Sequence, residues 1–171
     1  MRNKFIILLS LILSVLVAQP SFTAADIATN ADEAEAAVSA DLDNDGDMDI
    51  VSASYNDQTI TWYENNGATD PSFTAADITT SAGGVTSVFV VDLDNDGDLD
   101  IVSSASNNND GISWYENDGA ADPSFTASDI TNSNLYTLSV YAADMDNDGD
   151  MDIVSASYND DTIAWFENDG A

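Results

Sequence analysis

Fifteen aspartates, grouped in three strings, carry the chemistry this sequence is equipped to do. The strings are "DLDNDGDMD" from Asp41, "DLDNDGDLD" from Asp92 and "DMDNDGDMD" from Asp144. Each crowds five carboxylates into nine residues, and such like charges repel unless a cation or protons intervene. The shared spacing is D-x-D-x-D-G-D-x-D. In the first string Asp41, Asp43 and Asp45 occupy positions one, three and five, and Asp49 occupies position nine. Alternating side chains of a turning loop can converge on one point. The glycine at position six, Gly46, suits a tight loop that needs positive φ. Asp47, at position seven, would offer its backbone carbonyl. A hard dication that takes six to eight oxygens fits such a point, and Ca²⁺ is the candidate, about one ion per repeat. Mg²⁺ keeps its waters and prefers fewer carboxylates. Zn²⁺ is poorly served without His or Cys.

Two alternatives stand beside this reading. One is a solvated acidic turn with no ion, which a single "DNDG" would merit and three copies of one spacing do not. The other is an EF-hand, which begins in the same way but closes with a bidentate Glu at position twelve. Here that position holds Ser52, Ser103 and Ser155, and the flanks are strand-like.

The elements that must position these loops repeat with them. Pro20, Pro71 and Pro123 each open a "PSFTA" segment, and Trp62, Trp114 and Trp165 each sit in a "WYEN" or "WFEN" segment. The period is about 50 residues, which marks a repeat architecture. Residues 1–19 are set apart as a leader, 20–70 and 71–122 form two repeats, and 123–171 form a third that stops short of a fourth strand. Each unit reads as four short strands, in the middle copy Thr86–Val91, Ile101–Ser104, Ile112–Tyr115 and Phe125–Ile130. They are rich in β-branched and aromatic residues and bounded by Gly, Asn and Asp clusters. Ile112 and Trp114 share one face and Tyr115 takes the other. "YNDQT", "SNNNDG" and "YNDDT" occupy the hairpin position of successive copies. Residues 28–37 have a helical composition, but their counterparts do not, so they read as a variant loop leading into a strand. The fold class is all-β: four-stranded antiparallel blades of a β-propeller, three repeats in a partial or open ring.

Composition narrows the partners. Against 32 acidic residues stand only Arg2 and Lys4. They precede an apolar run, Phe5–Ala18, that is too short for a comfortable membrane span and reads as a signal peptide cut after Ala18 or Gln19. The mature chain would then hold no Lys, Arg or His. Nucleic acid is excluded as a partner for want of cations, and anionic lipid would repel the chain. Cysteine is absent, so disulfides do not stabilise it. The expected location is secreted or at the cell surface, with no membrane insertion after signal cleavage.

The repeat resembles the FG-GAP/VCBS-type repeat, the blade of integrin α-chain propellers and of many secreted bacterial proteins. The resemblance runs from Pro20 to Ala171 and rests on "DLDNDGDMDIVSAS", "DLDNDGDLDIVSSAS", "DMDNDGDMDIVSAS" and the Trp strand after each. It implies four-stranded blades with calcium in a loop between the first two strands. By that match Asp41, Asp43, Asp45, Asp47 and Asp49 form one site. Asp92, Asp94, Asp96, Asp98 and Asp100 form the second, and Asp144, Asp146, Asp148, Asp150 and Asp152 the third. The chain lacks the Phe-Gly and Gly-Ala-Pro signatures, which counts against integrin-like ligand recognition.

Three blades are fewer than the four to eight of known propellers. The "PSFTAADI" segment at Phe22–Ile27 is expected as a leftover strand, and the third blade lacks its outer one. A three-bladed ring would be strained, which leaves a fragment of a longer chain with further blades, an open array, or self-assembly into a larger ring such as a six-bladed dimer. The fragment is the expectation. The functional expectation is a calcium-binding, non-catalytic module for cell adhesion or ligand binding, its partner an extracellular protein or glycan. Triads, thiol nucleophiles and Schiff bases are ruled out by residue types. Glu64, Glu116 and Glu167 recur once per repeat, as structural residues do. The alternative is a carbohydrate-binding module, or accessory domain of a secreted glycan-active enzyme, with aromatics such as Tyr63, Tyr115 and Phe166 stacking on sugars. Trp62, Trp114 and Trp165 are expected in the blade core, and Tyr55 and Tyr158 at exposed hairpin turns.

Overall fold

The computed structural model describes residues 20–107, 111–132 and 136–170. The expected leader, residues 1–19, lies outside the described residues, as does part of the expected turn at 106–111. No helix among the described residues is long and apolar enough to cross a membrane.

Among the described residues, eleven strands form three antiparallel meanders. The first sheet contains β1 (Ala34–Ala40), β2 (Asp49–Ser54), β3 (Thr59–Asn65) and β4 (Phe73–Thr79). The second contains β5 (Val85–Val91), β6 (Asp100–Ala105), β7 (Ile112–Asn117) and β8 (Phe125–Thr131). The third contains β9 (Thr137–Ala143), β10 (Asp152–Ser157) and β11 (Thr162–Phe166). The sheets are successive blades of an open, unclosed array. Each "PSFTA" segment that becomes a strand closes the preceding blade. The middle-copy strands match the sequence expectation to within two residues at each end. Residues 28–33 are irregular and lead into β1, so the helical composition there is not realised.

Period-two alternation gives every blade two faces. The face toward the next blade carries Val51, Ile60 and Trp62 in blade one, at 0%, 0% and 4% exposure. They pack with Val88, Ile101 and Tyr115 of blade two. Ile112 and Val102 of blade two meet Val140 and Ile153 of blade three in the same way, with Trp114 and Phe166 packed against them. Tyr115 thus faces backward while Ile112 and Trp114 face forward, as their spacing predicts. Each buried aliphatic chain contributes about 1.5–3 kcal/mol, so the core lies between blades rather than within one.

Two expectations are corrected. Phe22–Ile27 forms no strand, and Phe22 is 93% exposed. The same residues at β4 are held by a ladder to β3, and the N-terminal copy has no such ladder. Trp62 is core and Trp114 is partly buried, but Trp165 is 50% exposed. No blade covers its face among the described residues.

Candidate metal centres

Each aspartate string folds into the loop between the first and second strands of its blade. Two successive side-chain turns shape it. The carboxylate at position three accepts the N–H at position five, from Asp43 to Asp45, Asp94 to Asp96 and Asp146 to Asp148, each at 3.2 Å. The carboxylate at position five accepts the N–H at position seven, at 2.8, 2.9 and 3.0 Å. Such Asx turns are what short acidic side chains do best. The loop then reverses at position six, where Gly46, Gly97 and Gly149 hold φ of 97°, 99° and 104°. Their N–H groups donate to the position-one carboxylates of Asp41, Asp92 and Asp144. Asn44, Asn95 and Asn147, at position four, also take positive φ. The sequence reading missed this, although Asn is the residue after Gly best suited to that region.

The position-nine aspartates anchor the loop. Asp49, Asp100 and Asp152 are 1%, 0% and 0% exposed. In the first loop Asp49 accepts the N–H of Leu42 at 3.2 Å and of Asn65 at 2.8 Å. Asp100 accepts from Leu93 and Asn117, and Asp152 from Met145 and Asn168. One buried carboxylate therefore joins the loop's start to the third strand's end in every blade.

Three of the four expected side chains converge in each loop, positions one and three always, joined by position five in the first and third loops and by position nine in the second. Asp41, Asp43 and Asp45 bring one oxygen each within 4.8 Å of one another; so do Asp92, Asp94 and Asp100, and Asp144, Asp146 and Asp148. The electrostatics follow. Burial lifts Asp43 above the ordinary carboxylate range, the Asp45 N–H opposes this, and the charges of Asp45, Asp49 and Asp41 add to it. Burial likewise raises Asp100, against the N–H groups of Asn117 and Leu93, with Asp94 adding. Asp146 is raised by burial, with Asp148 and Asp152 adding charge repulsion. Asp152 is instead lowered, because the Asn168 N–H outweighs burial and the Met145 N–H adds to it.

A hard cation fits this donor set. Every side-chain donor is a carboxylate oxygen, the type Ca²⁺ selects. Asp41 Oδ1 is buried and has no hydrogen-bond partner, a costly state for a charged oxygen unless a cation faces it. The side chains at positions one, three, five and nine would hold the ion. It would supply charge neutralisation within each loop.

Position seven behaves differently. Asp47, Asp98 and Asp150 belong to none of the three clusters. Their carboxylates lie against Gly67, Gly119 and Gly170, where any Cβ would overlap them. Asp98 accepts from Asn44 Nδ2 of the preceding blade at 3.0 Å, and Asp150 from Asn95 Nδ2 at 2.7 Å. Asn117 Nδ2 donates back to the Leu42 carbonyl at 3.0 Å, and Asn168 Nδ2 to the Leu93 carbonyl at 2.9 Å. The loops are therefore clasps between blades as well as candidate metal centres. No local sequence signal marks bonds that cross 54 to 75 residues; only the recurrence of Asn and Asp at fixed loop positions hints at them.

The remaining singled-out aromatics split by position. Tyr63 and Tyr115 are buried. The Tyr55 hydroxyl donates to Asn107, whereas Tyr158 is 69% exposed beside Tyr136.

Comparison with known families agrees with this architecture. The model of the FG-GAP-like repeat matches residues 41–103 and 100–155. The chain belongs to the FG-GAP-like repeat family. Neither a curated protein nor a solved structure matches it.

Proposed function

We propose that this FG-GAP-like repeat protein is a secreted, calcium-stabilised blade array that serves as a non-catalytic adhesion or ligand-binding module. The observation that carries the calcium reading is the buried, unpartnered Asp41 Oδ1 inside a cluster of three carboxylates, with a cluster of three in the same loop of each other blade. Calcium would be structural. It would offset repulsion in a loop that also fastens one blade to the next, so binding and folding are coupled. External calcium fills extracellular modules that bind at roughly 10⁻⁴ to 10⁻³ M. Export is supported by the basic start and apolar run of residues 1–18. The non-catalytic reading is supported by the absence of His and Cys. It is also supported by the structural employment of nearly half the acidic residues in three equivalent loops.

The test is Asp94→Ala, which should lower both the number of calcium ions bound and the unfolding midpoint in calcium. An unchanged stoichiometry would remove the second loop from the assignment. The carbohydrate-binding alternative is favoured by one observation, the exposed ring of Tyr158 beside Tyr136. Selective signals on a glycan array, lost in Tyr158→Ala, would establish it in place of protein adhesion.

A further inference from the structure

Each loop gathers three of its four ligand-spaced carboxylates and leaves one outside the group. In the first and third loops the one outside is at position nine, Asp49 and Asp152; in the second it is Asp96, at position five. The position-nine side chains are fixed at both oxygens by backbone N–H groups. Leu42 and Asn65 hold Asp49, Leu93 and Asn117 hold Asp100, and Met145 and Asn168 hold Asp152. To bring all four carboxylates onto one point, the tip of each loop must therefore move relative to a fixed base.

Two kinds of bond cross each junction between blades, and they tie different parts. At the base, Asn117 gives its own N–H to Asp100 Oδ1 at 2.8 Å and its side-chain amide to the Leu42 carbonyl, between Asp41 and Asp43 of the previous loop, at 3.0 Å. Asn168 repeats this with Asp152 and the Leu93 carbonyl. At the tip, Asn44 Nδ2 donates to Asp98 at 3.0 Å and Asn95 Nδ2 to Asp150 at 2.7 Å. Asn44 lies between Asp43 and Asp45, two members of the first cluster. The N–H of Asp98 in turn donates to the carboxylate of Asp96 at 2.9 Å, and the N–H of Asp150 to that of Asp148 at 3.0 Å. An unbroken path thus runs from the ligand positions of one loop, through an Asn and an Asp, to the position-five carboxylate of the next.

This path has little slack. Asn44 and Asn95 are held at φ 58° and 62°. The carboxylates of Asp98 and Asp150 lie against Gly119 and Gly170, where any Cβ would overlap them.

From this path we infer that the loops take up calcium cooperatively, with Asn44 and Asn95 as the positioning residues that carry the closure of one loop into the next. The inference rests on the calcium reading above and adds a coupling between its sites. Closure of the first loop fixes Asn44, Asn44 fixes Asp98, and the Asp98 N–H sets Asp96, the carboxylate the second loop has still to bring in. Asn95, Asp150 and Asp148 relay the second loop to the third. Linkage makes the effect mutual, so filling the second loop strengthens the first by the same factor. Coupling between sites is typically about 5–150-fold in affinity. One exposed hydrogen bond per junction sets the expectation at the low end, about fivefold per junction. Stacked repeats contact only their neighbours, so the coupling passes from each loop to the adjacent one.

Equilibrium dialysis of calcium against the chelator-stripped chain tests this. In about 1 M KCl the screening length is about 3 Å, which removes charge repulsion between loops as a source of coupling. The wild-type chain should bind about three ions with a Hill coefficient above 1. Asn44→Gly/Asn95→Gly removes both links while keeping the positive φ. It should still bind about three ions, but with a Hill coefficient near 1 and an affinity for the last ion reduced about fivefold or more. Circular dichroism in saturating calcium verifies its fold, and each single variant should lie between it and the wild type. Loosening of one loop alone would shift the midpoint and leave the slope. An unchanged slope in the double variant would overturn the proposal, because the cooperativity would then come from folding of the whole chain. Three independent sites in the wild type would also overturn it and leave the calcium reading standing. No bound calcium would overturn both.

Discussion

Replacing Asn117 with alanine should cost the array about 3 kcal/mol, and the reason is positional. Its amide donates to the Leu42 carbonyl of the preceding blade and to the Leu99 carbonyl of its own, both at 3.0 Å. Its Oδ1 accepts the Gly119 N–H at 3.1 Å. The residue is 1% exposed, so water cannot replace these partners. An orphaned buried polar group costs about 1–3 kcal/mol, and a typical hydrogen bond contributes about 1 kcal/mol. The total takes about 2 kcal/mol for the buried Leu42 carbonyl and about 0.5 kcal/mol, the low end for a hydrogen bond, for each of the two part-buried partners. The equivalent change at Asn65 supplies the internal control. Asn65 makes the same local bonds, to Met48 and Gly67, at the exposed edge of the array and spans no interface. Its loss should cost about 1 kcal/mol or less. Urea unfolding in saturating calcium measures both, and a gap of about 2 kcal/mol between the variants is a shift of roughly 1 M at typical slopes. Equal costs would refute the claim that this asparagine acts chiefly between blades.

Three further outcomes follow from the loops. Gly97→Ala places its Cβ in open space, yet at φ 99° it should cost about 1–3 kcal/mol from the backbone alone, read from thermal or urea unfolding. Calcium's stabilising effect should shrink as pH falls from 7 toward the carboxylate range. Asp43, Asp100 and Asp146 have raised values in the metal-free fold, so their contribution to its stability is greatest below about 3.8 and is lost as pH rises through their folded values. Calcium needs the ionised forms and reverses that order, so the calcium-induced rise in melting midpoint should be larger at pH 7 than at pH 5; equal rises would contradict this. Asp118→Asn should preserve the turn, because Asn66 makes the same bonds to Ala68 and Ser72 in blade one. The Ser124 hydroxyl, with the N–H groups of Ser124 and Ala120, lowers Asp118, so its advantage over Asn exists above about 3.8 and fades as pH falls through its folded value. Melting midpoints of the two proteins should converge in acid.

Much of this architecture was readable because each copy of the repeat repeats the same instruction. Strand positions in the middle copy, the opposed faces of Ile112 and Tyr115, and the convergence of alternate aspartates all follow from local period and spacing. What failed depends on neighbours. Phe22–Ile27 has the sequence of β4 and none of its structure, because a strand needs a ladder partner as well as propensity. Trp165 has the identity of Trp62 and half its surface in water, because burial is conferred by the next blade. The carboxylates of Asp98 and Asp150 at position seven were read as ligands or free side chains, and the structure employs them between blades. That role depends on which loop lies beside which, and spacing within one loop carries no such information.

The central claim is that the three loops are calcium sites on which the array depends. Calorimetric titration of calcium into the chelator-stripped chain, with circular dichroism in parallel, tests it most directly. About three ions bound per chain, with a gain of β signal as they bind, is the predicted result. No binding, with the β signal already complete in chelator, would contradict it.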